Sequence, residues 1–380
     1  MKRLFITTGL ISLVNVLAII DETQEEDDLI IISFNQNKNF VDTSTQIAKL
    51  HNFKNIKFFK KEKELIKEVS FQTYDQIYCA TLTRLYPYLK KHPNWNLFEE
   101  GPGYAITDLS KCKNLKSCFI ANYLNKFDII DKENKVKHIS INKEKFLKIS
   151  SEILNFMQTP KKLTTQRNVL FIGHYIYRKL GDEFALDFYK KYINYFINLG
   201  YNVYLKAHPR DKDYILPKLE QEFSNNKFFH ILNTSMPIEI YDYNFDAVIG
   251  AYSGTLVSLP HYRNIPAINL QLKELYSTDI GLNYKKFFAI YDEYTPSFDE
   301  MENILQDPKT KIWQEYKKII TSKISLKDNL DLNKIILYKP NLINDIFCHF
   351  ISYLCSSKTF KQKLSNYARK DFEKMIDRYK

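Results

Sequence analysis

At 380 residues the chain exceeds what one hydrophobic core usually holds, so two domains of roughly 150 to 200 residues each are expected. A content of 44% hydrophobic and 15% aromatic residues, with only nine glycines, excludes a disordered or collagen-like polymer. The net charge of +11 suits a protein that meets anionic lipid, nucleic acid or anionic sugar, without choosing among them.

The first half alternates apolar runs with helical patterns. Leu4 to Ile20 is preceded by Lys2 and Arg3, as a targeting segment would be, but it is short for a membrane span and carries Thr7, Thr8 and Asn15. It reads better as a strand (Leu4 to Thr7), a turn at Thr8-Gly9 and a helix (Leu10 to Ile20). Buried strands are predicted at Leu29 to Ser33, Ile56 to Phe59, Gln76 to Ala80 and Asn96 to Phe98, with helices at Thr43 to His51 and Lys61 to Val69. This alternation calls for a parallel sheet covered on both faces.

A helix from about Lys143 to Met157 runs into the polar stretch Gln158 to Arg167, the best linker candidate. Beyond it the pattern restarts with strands at Asn168 to Ile172, Asn202 to Lys206, Phe229 to Leu232, Ala247 to Ile249 and Ala267 to Leu270. Helices are predicted at Asp182 to Leu199, Ile215 to Phe223, Pro237 to Tyr243 and Gly254 to Leu259. The expected division is therefore 1–158 and 159–340, two doubly wound α/β domains, followed by basic helices over 341–380. Lys358 to Lys380 holds eight Lys or Arg against three acidic residues, interleaved with apolar side chains. Such a helix suits an anionic membrane surface or packing on the protein with its charged face in water.

Three short peptides fall where strands should end, the edge at which open α/β sheets place ligands. Glu99-Glu100-Gly101 follows the fifth predicted strand. Alternation sends its two carboxylates in opposite directions, so one can face a cleft and take a proton from an acceptor hydroxyl. Lys206-Ala207-His208-Pro209-Arg210 follows the strand ending at Lys206. Pro209 holds His208 extended, and an imidazole there can donate to a leaving phosphate oxygen with Lys206 and Arg210 adding positive potential. Tyr252-Ser253-Gly254-Thr255 opens a helix, where hydroxyls and free N–H groups make an anion site or a simple cap. Gly173 supplies another close backbone approach, and its neighbours His174 and Tyr175 read as lining or packing. The second His-Pro pair, His92-Pro93, reads as a plain loop.

Neither GxGxxG nor GxxxxGK[ST] occurs, which removes most support for hydride transfer and ATP hydrolysis. No DxD-type clamp stands at a strand end, so metal-independent transfer is expected and no cofactor is called for. The five cysteines, odd in number and without CxxC spacing, indicate neither zinc nor a disulfide framework and suit a reducing cytoplasm.

In order and spacing the three peptides resemble the acidic-acidic-Gly, His-Pro and Ser-Ser/Thr motifs of bacterial sialyltransferases, the lipooligosaccharide sialyltransferases and capsular polysialyltransferases. The resemblance spans roughly Leu4 to Leu270. It implies a GT-B fold with an acceptor-side first domain and a nucleotide-binding second one, CMP-sialic acid as donor, a glycan acceptor, inversion at the anomeric carbon and no metal. It implies that His208 contacts or protonates the CMP phosphate, that Ser253 and Thr255 bind it, and that Glu99 or Glu100 is the base, with Asp182 or Glu183 as rivals. Pro237 and Glu239 resemble the segment that holds cytidine and ribose. Gly254 departs from the usual motif by separating the two hydroxyls. A cytoplasmic enzyme, peripheral on the inner membrane through its basic carboxyl terminus, is the corresponding expectation.

Two other readings fit the residues. One keeps the fold and exchanges the donor for CMP-Kdo or CDP-glycerol. The other is a noncatalytic nucleic-acid or membrane-binding protein, disfavoured because the positive residues are dispersed rather than gathered in a stripe.

Overall fold

A computed structural model describes residues 1–20, 26–33, 38–80, 85–98, 109, 112–120, 136–157, 163, 167–208, 214–232, 234, 236–272, 274, 288, 291–292 and 295–327. The chain divides into one compact unit, Met1–Leu330, and a second, Asp331–Lys380. The basic segment 341–380 and most of the linker 158–167 lie outside the described residues.

The first sheet has seven strands in the order β3-β2-β1-β4-β5-β6-β7, all neighbouring pairs parallel. They are β1 (Lys2–Thr7), β2 (Glu26–Ile32), β3 (Asn55–Phe59), β4 (Gln76–Cys79), β5 (Trp95–Phe98), β6 (Leu115–Ile120) and β7 (Lys137–Ser140). β1 is an interior strand, between β2 and β4, and its helix α1 (Leu10–Ile19) is buried over most of its length. The apolar segment Leu4 to Ile20 is therefore part of a buried core, and among the described residues no helix is long and apolar enough to cross a membrane.

β6 and β7 were not expected. β7 lies at the sheet edge with three of its four residues exposed, so it lacks the apolar run that reveals a buried strand. Around the first sheet lie α2 (Lys38–Ala48), α3 (Glu62–Glu68) and the short α4 (Tyr86–Leu89). His92 is buried, with Nε2 donating to the Tyr74 carbonyl at 2.9 Å and Nδ1 accepting from Asn94 N at 3.1 Å, so the second His-Pro pair is a structural loop as expected.

Charge is buried at the amino end of this sheet. Arg3 and Asp27 stand opposite one another in the β1/β2 register, and Arg3 grips Asp27 with two bonds of 2.7 and 2.8 Å. His51 Nε2 reaches the same carboxylate at 2.8 Å. Burial raises the Asp27 carboxyl, but the bonds from His51 and Arg3 outweigh it and hold the group below the usual carboxylate range.

α5 (Lys143–Phe156) is capped by Asn142, whose side chain accepts from Lys145 N, and it leads toward the second sheet. It packs on α1, while Phe146 stacks on Tyr262 of the second half at 3.8 Å between ring centroids. That second sheet has five parallel strands in the order β10-β9-β8-β11-β12: β8 (Asn168–Ile172), β9 (Asn202–Lys206), β10 (Phe229–Ile231), β11 (Ala247–Gly250) and β12 (Ala267–Asn269). Its helices are α6 (Asp182–Asn198), α7 (Ile215–Glu222) and α8 (Thr255–Arg263). α9 (Phe298–Gln306) and α10 (Ile312–Lys327) were not read from the sequence; Tyr201 Oη on the α9 Leu305 carbonyl and the buried Tyr316 of α10 tie them to the sheet.

One expected helix is corrected. Pro237 to Tyr243 forms only a 3-10 turn at Ile238–Ile240. Arg263 donates from Nε to the Glu239 carbonyl at 2.9 Å and from Nη2 to the Ile240 carbonyl, which removes the acceptors that a continuing helix would use.

Candidate active site

Both sheets have an interior first strand whose following elements switch from one side to the other. In the second sheet the switch lies between β8 and β11, and at such a point loops diverge and leave a crevice at the carboxyl edge. Gly173-His174 follows β8, Ala207-His208 follows β9, and Ala251 to Thr255 follows β11. The topology thus gathers on one edge the His208 and Ser253 that lie far apart in sequence, with the β8 loop between them. At about 4.8 Å per strand spacing, the ends of β9 and β11 are about 10 Å apart.

Close packing fixes these loops. A Cβ on Gly173 would meet the Tyr189 hydroxyl at 2.6 Å, His208 N at 2.9 Å and Ala207 Cα at 3.1 Å, so only glycine lets the β8 and β9 ends approach this closely. Gly173 N donates to the Lys206 carbonyl at 2.9 Å, and His174 N to Tyr189 Oη at 3.2 Å. The outcome is a pair of half-buried imidazoles, His174 and His208, with centroids 5.7 Å apart. His174 was visible in the sequence only as lining or packing; its pairing with His208 needed the strand order.

After β11 the chain enters the left-handed region at Tyr252, φ 54°, an unfavourable place for a bulky side chain. Its ring is held by stacking on Phe288 at 4.0 Å and an edge contact with Tyr291 at 5.9 Å. The turn delivers Ser253, whose Oγ accepts from Thr255 N at 3.4 Å, to the start of α8. That helix points its positive end at the same crevice. The loop after β1 bonds its own donors: Thr8 N and Gly9 N donate to Ser12 Oγ at 3.1 and 3.0 Å. The start of α8 bonds its first amides within the chain too, Leu256 N to the Ser253 carbonyl at 2.9 Å and Val257 N to the Gly254 carbonyl at 3.0 Å, so what it offers an anion is the hydroxyls of Ser253 and Thr255 and the helix dipole.

Glu239, buried, accepts from Ser258 Oγ at 2.6 Å. Ser258 lies on α8 five residues after Ser253, and Arg263 at the far end of the helix holds the backbone of the Glu239 turn. One helix thereby fixes the spacing between the Ser253 end and the Glu239 carboxylate. Pro237 stands just before that turn. Neither Ser258 nor Arg263 was singled out in the sequence, where both look like ordinary helix residues.

Asp182 opens α6 half-exposed and is bonded by Arg178 Nε at 2.5 Å, which holds its carboxyl below the usual range. Glu183 is bonded by Tyr214 and by Lys218 at 2.9 Å and is likewise lowered. β5 ends at Phe98, but Glu99 and Glu100 themselves, with Pro209 and Arg210, lie outside the described residues. Among the described residues no three His, Cys, Asp or Glu side chains gather as a metal site. A polar cavity of about 280 Å³, lined by Lys2, Asp28, Asn55, Lys57 and Tyr74 among others, opens at the amino edge of the first sheet, opposite the strand ends that carry the motifs.

Two Rossmann-like domains, each with its first strand at a switch point, define a GT-B architecture. The fold is similar to that of the Methanocaldococcus jannaschii UDP-GlcNAc 2-epimerase in complex with UDP-GlcNAc and UDP, at 13% identity and a TM-score of 0.51 over 93% of this chain and 100% of that one. A putative UDP-N-acetylglucosamine 2-epimerase from Listeria monocytogenes (11% identity, TM-score 0.46, 87% of this chain and 97% of that chain) and a family 9 glycosyl transferase from Veillonella parvula (12%, 0.35, 86% and 97%) are more distant. None of the curated proteins matches.

Residues 115–271 match the family model for alpha-2,8-polysialyltransferase (POLYST), a stretch that runs from β6 through β12 and includes Gly173, His208, Glu239 and Ser253. Over that stretch the chain is similar to the polysialyltransferases, a match that supports glycosyltransferase activity.

Proposed function

We propose that the protein transfers sialic acid from CMP-sialic acid to a hydroxyl of a cell-surface glycan, lipooligosaccharide or capsular polysaccharide, with inversion and without a metal. The observation that carries this reading is the convergence of His208 and Ser253 on one sheet edge inside the stretch that matches the polysialyltransferase family. The hydroxyls of Ser253 and Thr255, at the positive end of α8, bind the phosphate, with Gly254 giving the backbone room. His208 donates to the leaving phosphate oxygen, Pro209 and Arg210 assist in donor binding, and Pro237 and Glu239 hold the cytidine ribose. A proton donor and fixed dipoles at the departing oxygen act where negative charge develops, so they favour the transition state over the bound donor.

Glu99 or Glu100 deprotonates the acceptor. Asp182 is the weaker candidate, because its bond with Arg178 both occupies it and lowers its basicity. The basic segment 341–380 brings the enzyme to the anionic inner face of the membrane.

Incubating the protein with CMP-sialic acid and a sialylated or lactose-type acceptor, in EDTA, should release CMP. His208→Ala should lower that release by at least about a hundredfold with the melting temperature unchanged. CMP release only from another CMP- or CDP-activated donor would replace the donor, and full activity in His208→Ala would remove the leaving-group role.

A further inference from the structure

β8 and β11 keep parallel register as far as Phe171 opposite Ile249. Beyond that pair the ladder is not continued by backbone alone. Tyr177, in the 3-10 segment after β8, inserts its hydroxyl between the two strand ends: it donates to the Ile172 carbonyl at 3.3 Å and accepts from Ala251 N at 2.9 Å. A side chain thus occupies the place of a rung at the topological switch point. The ring is fully buried, packed against Phe188 and Tyr189 at 4.7 and 5.2 Å between centroids, so the hydroxyl has little room to leave. The residue that follows Ala251 is Tyr252, whose left-handed backbone aims Ser253.

We propose that Tyr177 is a positioning residue for the anion site. Its hydroxyl fixes the Ala251 amide, and through it the start of the left-handed turn that brings Ser253 to the crevice. Backbone amides at the site of a lost rung would otherwise find partners of their own, and an unsatisfied N–H in a place closed to water is costly enough to drive rearrangement. This inference rests on reading Ser253 as the group that binds the donor phosphate.

Tyr177→Phe removes one oxygen and leaves the packing. It should raise the KM for CMP-sialic acid about tenfold with kcat within about twofold. In a Ser253→Ala background the same change should add little, because a residue that acts only through Ser253 has nothing left to position. Amide hydrogen exchange should show lost protection confined to residues 251–256 in Tyr177→Phe. An unchanged KM with unchanged exchange, or effects on KM that add fully to those of Ser253→Ala, would overturn the proposal. The donor reading is separated by titrating the wild type with CMP: no binding there, with lost protection in Tyr177→Phe, would discard CMP as the ligand and retain Tyr177 as the group that sets the loop.

Discussion

Replacing Ser258 by alanine tests whether one helix sets the geometry of the nucleotide site. The Ser258 hydroxyl donates at 2.6 Å to a carboxylate whose residue is 7% exposed, so the bond is charge-assisted and shielded from water. Bonds to charged groups contribute about 1.5 to 3 kcal/mol. For domains of this size each kcal/mol moves the melting temperature by about 2 to 4 °C, so a fall of about 3 to 12 °C is expected. If Glu239 holds the ribose, the same loss of orientation should raise the KM for the donor by about tenfold or more, with kcat less affected, because the carboxylate binds donor and transition state alike. Ser258→Thr keeps the hydroxyl and should recover much of the affinity. Thermal unfolding and steady-state CMP release measure the two effects separately. A melting temperature that falls while KM stays constant would make the Ser258–Glu239 pair purely structural and remove Glu239 from the donor site.

Gly173→Ala should disturb the His208 loop, since its Cβ would strike His208 N and Ala207 Cα. A stability loss of about 1 to 3 kcal/mol and a drop in CMP release are expected, while Gly9→Ala, where a Cβ meets nothing within 4 Å, serves as the control. The Arg3–Asp27–His51 cluster predicts an acid limb to stability. The Asp27 carboxyl is lowered from 3.8 in the fold, so its contribution is complete above that pH and is lost as pH falls through the folded value. Asp27→Asn should cost about 3 to 5 kcal/mol near neutrality by removing the buried carboxylate charge that Arg3 and His51 both bond. The gap in melting temperature between wild type and Asp27→Asn should then narrow below about pH 4, and a gap that stays constant down to pH 2 would mean the carboxylate is not held ionised by the cluster.

The elements most legible in the sequence are those whose stability is local or whose burial is complete. β1, β8, β9 and β11 are continuous apolar runs because helices cover both faces of a parallel sheet, and their ends mark where ligand-facing peptides should stand. β7 escaped because an edge strand exposed on three of four residues needs no such run, and the helix expected at Pro237 failed because Arg263, distant in sequence, takes the carbonyls it would have used.

Residue type and position along the chain were enough to single out His208 and Ser253 as candidates, since imidazole and hydroxyl have fixed chemistry and strand ends are predictable from hydrophobic period, whereas Glu239 was a candidate only through the family resemblance. What brings His174 beside His208, puts Tyr177 between β8 and β11, and ties Glu239 to Ser258 is the strand order and the packing of α8. Those contacts join residues that are up to 74 positions apart, and no local pattern encodes a distance that only sheet pairing and side-chain packing create.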